Sequence, residues 1–181
     1  MRVITGSAKG RRLKTAEGME VRPTSDKVKE AVFSAIQFDI INAKVLDLFS
    51  GSGQMGIEAL SRGADYAVFT DISKKSAAIT KENLVSTGLE KNARVIITDG
   101  TEFVKTTSDT FDIAILDPPY RHGLIEKVLP YLSKIMNDGG TVICEHEKEL
   151  VLDGSYENMS VRKTYNYGKI SVTVFSVNRE D

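Results

Sequence analysis

The stretch VLDLFSGSGQMGIEALSRGADYAVFTD, residues 45–71, holds two apolar segments separated by a glycine-rich turn and a helical pattern. It predicts a strand over Val45–Phe49, a helix over Met55–Arg62 and a second strand over Tyr66–Thr70. Two strands joined through a helix pair in parallel, because the crossover returns the chain to the same end of the sheet. The stretch therefore predicts an α/β fold built on a parallel sheet.

Strands and helices continue to alternate on both sides of this unit. Further strands are predicted over 93–98, 111–116 and 141–145, and further helices over 26–36, 73–87, near 102–105 and near 124–136. This alternation indicates a Rossmann-like, mostly parallel sheet with helices on both faces. Pro130 should kink or divide the helix that contains it, and Asn137-Asp-Gly-Gly140 predicts a turn.

Both ends of the chain depart from this alternation. Val161–Tyr167 and Ile170–Val177 flank Gly168-Lys169, a two-residue hairpin signal, so we expect an antiparallel pair at one sheet edge. The amino end predicts a small hairpin that pairs Arg2–Thr5 with Arg12–Thr15. We therefore divide the chain into a basic amino-terminal arm, residues 1–24, and a single domain over residues 25–181.

The composition is that of an ordinary globular protein, with 41% hydrophobic and 27% charged residues in a chain of 181. No apolar run approaches the roughly 18 residues of a membrane span, and we expect no signal peptide. The single cysteine, Cys144, excludes an internal disulfide, fits a reducing cytosol and is expected in the core. With His122 and His146 it gives no metal-site spacing, so we predict no metal.

The glycine-rich turn, Gly51-Ser-Gly-Gln-Met-Gly56, matches the G-x-G-x-x-G pattern, and Asp71 follows twenty residues after Gly51. In dinucleotide-binding proteins an acid at this distance holds ribose hydroxyls. Asp47 argues against a dinucleotide, because its carboxylate would repel a pyrophosphate. S-adenosylmethionine offers an ammonium to Asp47 and a ribose diol to Asp71, so the turn predicts this methyl donor. The alternative is a tight turn that serves packing alone.

Four acids, Asp47, Asp71, Asp99 and Asp117, end or nearly end four successive predicted strands. Carboxyl ends of parallel strands share one edge of the sheet, so the pattern predicts a single ligand-binding rim. Asp99 could accept a hydrogen bond from the adenine amino group of the donor. Alternatively it caps the helix that follows.

Asp117-Pro-Pro-Tyr120 follows the apolar strand over residues 111–116. The two prolines stiffen the backbone and remove two N–H donors. The Asp117 carboxylate and the Pro118 carbonyl could then accept both hydrogens of an amino group on a planar base, while Tyr120 stacks on that base. Such a set suits methyl transfer to an exocyclic amine. The alternative is a stiff strand-to-helix turn.

A net charge of −1 hides an asymmetry, because residues 1–30 hold eight Lys and Arg against four acids. The basic arm could contact nucleic-acid phosphates. The alternative is a solvated hairpin whose charges keep an edge strand soluble.

In their order, these motifs resemble those of S-adenosylmethionine-dependent amino-methyltransferases. The amino-terminal segments Lys9-Gly-Arg-Arg-Leu13 and Arg22-Pro-Thr24, followed by Asp26, Val28 and Glu30, narrow the resemblance, as does Tyr167-Gly-Lys169. Over nearly its whole length the chain is similar to the bacterial 16S rRNA (guanine-N2)-methyltransferases of the RsmD type. The resemblance implies a seven-stranded sheet and methyl transfer to the N2 amine of a guanine in small-subunit RNA.

The resemblance also implies the site residues, the cofactor S-adenosylmethionine and the partners. Catalytic residues would be Asp117, Pro118, Pro119 and Tyr120; donor-binding residues Asp47, Phe49, Gly51, Ser52, Gly53, Asp71, Asp99, Gly100 and Thr24; RNA-binding residues Lys9, Arg11, Arg12 and Arg22. The expected partner is 16S rRNA within the small ribosomal subunit, with ribosomal proteins as part of the docking surface. We expect a cytoplasmic monomer with no membrane contact.

The residues alone leave three other functions open. Asp-Pro-Pro-Tyr would serve the N6 amine of adenine in RNA or DNA as well as the N2 amine of guanine. The glycine-rich turn would serve an NAD-dependent oxidoreductase. A non-catalytic RNA-binding protein could keep the same fold, although the four acids argue against that alternative.

Overall fold

The computed structural model describes residues 1–15 and 26–178. The strands are β1 (Lys44–Asp47), β2 (Tyr66–Asp71), β3 (Ala93–Ile97), β4 (Phe111–Leu116), β5 (Met136–Glu147), β6 (Ser155–Tyr156), β7 (Met159–Tyr167) and β8 (Ile170–Val177). The helices are α1 (Asp26–Ala35), α2 (Gln54–Ser61), α3 (Lys74–Thr87), α4 (Gly100–Thr106) and α5 (Leu124–Leu132). Short 3₁₀ turns lie at Glu90–Asn92 and Ser133–Ile135.

The strands form one sheet in the order β3-β2-β1-β4-β5-β8-β7-β6. Strands β1 to β5 pair with one another in parallel. Strand β8 is antiparallel to both of its neighbours, β5 and β7. The predicted parallel sheet and carboxyl-terminal hairpin are thus confirmed. The sheet has eight strands rather than seven because β6, which pairs with β7, adds a two-residue strand too short to give a periodic signal.

Each face of the sheet carries its own hydrophobic cluster. On one face α1, α2 and α3 contribute residues such as Phe33, Ile57 and Leu84, and on the other α4 and α5 contribute Phe103 and Leu129. The side chains of a strand alternate between the two clusters, as successive residues must. Helices on both faces, as predicted, enclose the parallel part of the sheet. Cys144 is fully buried in the second cluster, in agreement with its predicted core position.

The amino-terminal hairpin is small and packs on the first of these faces. Its strands meet at a single bridge between Arg2 and Arg12, flanked by a hydrogen bond from the Val3 N–H to the Arg11 carbonyl (2.9 Å). Val3, Ala8 and Leu13 are buried in the cluster that α1 and α2 also line. The described part of the arm therefore shares the core of the domain.

Two segments next to β5 differ in part from the prediction. The helix predicted near residues 124–136 begins at Leu124, and a 3₁₀ turn over Ser133–Ile135 follows α5 directly, so the helical segment is divided two residues after Pro130. The predicted turn over residues 137–140 is a bulge inside β5. Phe111 pairs with Met136, but Ile113 pairs with Thr141, so the intervening residues leave the ladder. Within the described ranges, no helix is long and apolar enough to cross a membrane.

Candidate active site

The glycine-rich loop lies between β1 and α2. Gly51 and Gly53 both adopt left-handed backbone conformations, with φ of 53° and 77°. A Cβ on Gly53 would lie 2.7 Å from Cγ2 of Thr80, whereas a Cβ on Gly51 would meet no atom within 4 Å. The loop therefore needs glycine at both positions for its backbone, and at Gly51 it has open space that a ligand can approach.

Asp47, the last residue of β1, lies beneath this loop and is only 2% exposed. Its Oδ2 accepts a hydrogen bond from the Gly56 N–H (2.9 Å). Burial raises the pKa of Asp47 to about 7; the Gly56 hydrogen bond opposes this rise and the nearby charge of Asp71 adds to it. A buried carboxylate is costly unless a cation or further donors meet it. The position suits the ammonium group of a ligand.

Asp71 ends β2 beside β1 and reaches the same loop. Its Oδ2 accepts from the Gly51 N–H (2.9 Å) and its Oδ1 from the Ser73 N–H (2.8 Å). Each oxygen keeps a second lone pair, because a carboxylate has about four acceptor sites. Asp71 therefore fixes the loop while it can still accept from a diol.

Asp99 follows β3 and caps α4, with its Oδ1 accepting from the Thr101 and Glu102 N–H groups (2.9 and 3.1 Å). The capping alternative is thus confirmed, and a role toward adenine stays a prediction. Asp99 is exposed, so a ligand at the rim can reach its carboxylate. The next residue, Gly100, lies so close to the Phe49 ring that a Cβ would come within 2.8 Å of it.

The Asp117–Tyr120 loop leaves β4 at the same edge. Pro118 is buried, while Asp117 and Tyr120 are half-buried. The Tyr120 hydroxyl donates to Oε1 of Glu145 (2.9 Å) on β5, which orients the ring. A cavity of about 220 Å³ opens beside Pro118, Tyr120 and Glu147. The loop thus presents a ring and a buried prolyl backbone to a space large enough for a planar base.

The four acids lie at the carboxyl ends of four neighbouring strands, in the order β3, β2, β1 and β4. The structure brings Asp99, Asp71, Asp47 and Asp117 to one edge of the sheet, as the sequence predicted. This is the edge at which open α/β sheets bind ligands. Within the described ranges, no group of three His, Cys, Asp or Glu side chains could hold a metal ion.

The basic arm presents Lys9, Arg11 and Arg12 to solvent. Its first strand is held by Glu58 of α2, whose carboxylate accepts from the Ile4 and Thr5 N–H groups (2.8 and 3.0 Å). Arg22 and Thr24, also predicted as site residues, lie outside the described residues. RNA contact by the arm stays a prediction.

Sequence reasoning missed several polar residues that shape the site. Thr80 and Asn83, both buried on α3, bind the carbonyls of Gly51 and Ser52 (2.9 and 2.8 Å). Their spacing of three places them on one helix face, and polar residues on the buried face of a helix were the available signal. Sequence reasoning also missed Ile72, which directly follows Asp71 and is 71% exposed, so that it offers an apolar surface at the rim.

Three comparisons relate the whole chain to known proteins. Residues 1–176 match the family model described as conserved hypothetical protein 95. The chain is 35% identical over 180 residues to YlbH of Bacillus subtilis, covering 97% of this chain and 98% of that protein. It is 32% identical over 180 residues to ribosomal RNA small subunit methyltransferase D of Haemophilus influenzae, covering 97% and 93%. The solved structure of yhhF from Escherichia coli superposes with a TM-score of 0.90, at 28% identity and 99% coverage of both chains.

Proposed function

The chain belongs to the family described as conserved hypothetical protein 95, and we propose that it is an S-adenosylmethionine-dependent methyltransferase of ribosomal RNA. Its target is the exocyclic N2 amine of a guanine in 16S rRNA of the small subunit. One observation carries the proposal: a glycine-rich loop with a buried acid and an Asp-Pro-Pro-Tyr loop lie at neighbouring strand ends. A relative with 32% identity is named for methylation of small-subunit RNA.

The residues around the glycine-rich loop fit the methyl donor. Asp47 provides a buried carboxylate for the ammonium group. Ser50 Oγ is buried and has no hydrogen-bond partner among the described residues, so it can meet a polar group of the methionine portion. The open space over Gly51 admits the ligand, and Asp71 accepts from the ribose hydroxyls. Ser52 and Gly53 complete this loop.

The adenine end of the donor fits the rim next to β2 and β3. The free oxygen of Asp99 can accept from the adenine amino group, while Ile72 and the Phe49 ring offer apolar surfaces to the base. Gly100 keeps this part of the rim narrow because it lets Phe49 pack against the start of α4. Aromatic and aliphatic walls with a few placed polar groups are typical of cofactor sites.

Bound S-adenosylmethionine supplies an electrophilic methyl group on a sulfonium. The chain contributes geometry at the acceptor: the Asp117 carboxylate and the Pro118 carbonyl accept the two hydrogens of the target amine and aim its lone pair. Tyr120, oriented by Glu145, stacks on the base, and Pro119 stiffens the loop. Holding two reactants in near-attack geometry can provide roughly 7–11 kcal/mol of a barrier.

The basic arm provides the sequence-independent part of RNA binding. Lys9, Arg11 and Arg12 are exposed cations that can neutralise phosphates, and Arg22 belongs to the same segment of the sequence. Assembled small subunits in the cytoplasm would supply this RNA, with ribosomal proteins as part of the docking surface and the enzyme acting as a monomer. Thr24 is proposed to contribute to donor binding.

Methylation of small subunits that lack the mark tests this function. Purified protein, labelled S-adenosylmethionine and such subunits should yield N2-methylguanosine on nucleoside mass spectrometry; N6-methyladenosine would assign the adenine activity instead. Asp117→Ala should lower transfer by about 100-fold or more, because misplacing the reacting atoms by about 1 Å has that effect. Asp138→Ala, an exposed acid in the β5 bulge, is the matched control. Near-wild-type transfer by Asp117→Ala would contradict the mechanism.

A further inference from the structure

Helix α3 carries two buried polar side chains that hold the glycine-rich loop from below. Thr80 Oγ1 donates to the Gly51 carbonyl (2.9 Å), and Asn83 Nδ2 donates to the Ser52 carbonyl (2.8 Å). The two residues are 0% and 1% exposed. Both therefore act on the backbone of the donor loop rather than on the donor itself.

Asn83 differs from Thr80 because it also holds the basic arm. Its Oδ1 accepts from the Lys14 N–H (2.8 Å), and its Nδ2 donates to the Lys14 carbonyl (3.0 Å). An asparagine amide has two N–H donors and one carbonyl, so these three bonds use both donors and the acceptor. One buried side chain thus joins the arm to the donor loop.

The same amide nitrogen serves both segments. When the Lys14 backbone moves, the side-chain amide of Asn83 must move with it or lose its two hydrogen bonds to Lys14. The same amide donates to the Ser52 carbonyl, so its movement also shifts or breaks that bond. A buried polar group left unpaired carries its full desolvation cost, so shifts of the two segments are favoured together. Lys14 also pairs with Glu82 through its side chain (2.7 Å), but both of these groups are exposed and the pair is weak.

We propose that Asn83 is a positioning residue that couples RNA binding on the basic arm to donor binding at the glycine-rich loop. The inference rests on the proposed function, because it takes the arm as the RNA contact and the loop as the donor site. Binding of RNA through Arg11 and Arg12 fixes the backbone at Lys14, and Asn83 passes this order to Ser52. By linkage, donor binding then tightens RNA binding by the same factor.

The test measures binding of S-adenosylhomocysteine, which cannot transfer a methyl group, by equilibrium dialysis with and without saturating unmethylated small subunits. In the wild type, subunits should lower the dissociation constant by a factor within the roughly 5–150-fold range of typical couplings. Asn83→Leu keeps the branched shape of the side chain and removes all three bonds, so this ratio should fall to about 1. Thr80→Val is the matched control: it loses only the Gly51 bond, weakens binding in both conditions and keeps the wild-type ratio.

A measurement on the wild type covers the case in which Asn83→Leu does not fold. Hydrogen exchange at the Lys14 amide, which donates to Asn83, should slow when S-adenosylhomocysteine binds, because the ligand orders Ser52 and Asn83 joins Ser52 to Lys14. An unchanged exchange rate overturns the proposal, as does a wild-type coupling ratio in folded Asn83→Leu. If the wild type methylates subunits while either of these results appears, this inference alone fails. Absence of subunit binding or methylation would instead overturn the proposed function and the coupling with it.

Discussion

Replacing Asp47 by Asn should stabilise the free protein at neutral pH and weaken its binding of the methyl donor. Asp47 is 2% exposed, and burial raises its pKa from 3.8 to about 7. An amide keeps the acceptor for the Gly56 N–H and removes the cost of burying a charge. The same change removes the charge that we assign to the donor ammonium, so stability and function should move in opposite directions.

The size of the effect depends on pH in a defined direction. Because the folded-state pKa is raised, Asp47 contributes stability that is present at low pH and is lost as pH rises through about 7. Between pH 5 and pH 7 the wild type should lose about 3 kcal/mol of unfolding free energy relative to Asp47→Asn, at 1.36 kcal/mol per pH unit, and no more above that pH. The variant has no titrating group at this position, so its advantage grows over that range.

Urea unfolding of both proteins at intervals between pH 5 and pH 8 measures this difference. Asp138→Asn, which changes an exposed acid, should follow the wild type and serves as the control. Calorimetry with S-adenosylhomocysteine should show wild-type affinity rising as Asp47 ionises near pH 7, and weaker affinity for Asp47→Asn. A difference in unfolding free energy that stays constant from pH 5 to pH 8 would refute the assignment of a buried, titrating Asp47.

Further outcomes follow from packing, stacking and charge. Gly56→Ala should lower the free energy of unfolding by roughly 1–3 kcal/mol in thermal or urea unfolding, because its Cβ would lie 2.3 Å from the Phe69 ring. Gly154→Ala is the control: its Cβ would meet open space, so its free energy of unfolding should stay within about 0.5 kcal/mol of the wild type. Tyr120→Ala should weaken subunit binding by about 1–3 kcal/mol. Tyr120→Phe keeps the ring and should bind subunits nearly as tightly as the wild type. Equal losses of binding free energy in the two variants would argue against stacking. Arg12→Ala should reduce the slope of the logarithm of the subunit binding constant against the logarithm of salt concentration by about 1. Donor affinity, measured by calorimetry, should stay unchanged. An unchanged slope would show that Arg12 does not contact the RNA.

Elements whose ends are set by local contacts were predictable from the sequence. Helix α3 was predicted over residues 73–87 and begins at Lys74, with the Ser73 side chain as its cap. Gly88 ends it in a left-handed conformation with φ of 73°. Each of these signals acts within four residues along the chain, so the sequence alone contains them.

The β5 bulge was not predictable in the same way. Asn137-Asp-Gly-Gly140 has the composition of a turn, and Gly139 does adopt a positive φ of 74°. Pairing of Met136 with Phe111 nevertheless extends β5 across this segment. Whether such a segment ends a strand or bulges within it depends on a partner strand that local sequence does not reveal.

The location of an acid at the sheet edge could be predicted where the acid directly ends a strand, whereas contacts between residues distant in sequence could not. Asp71 follows its strand directly, so its place at the rim could be inferred. Asn83 and Glu58 contact the arm across 69 and 53–54 residues of sequence. Such contacts depend on tertiary packing, and in a single sequence they leave only a polar residue on a buried helix face.

Buried charge determines where the arm lies relative to the rim. The Glu58 carboxylate, fully buried, accepts from the arm backbone and lies 2.8 Å from Arg62 Nε and 3.5 Å from Lys29 Nζ. Lys29 in turn donates to the Arg2 carbonyl (2.7 Å), and its burial lowers its pKa despite the opposing charge of Glu58. A buried ion network adds little net stability, but breaking one member costs about 3–5 kcal/mol, so this network holds residues Arg2–Thr5 firmly against α1 and α2. The first strand of the arm is therefore anchored to the domain that carries Asp117, whereas the position of the Lys14 backbone depends on Asn83.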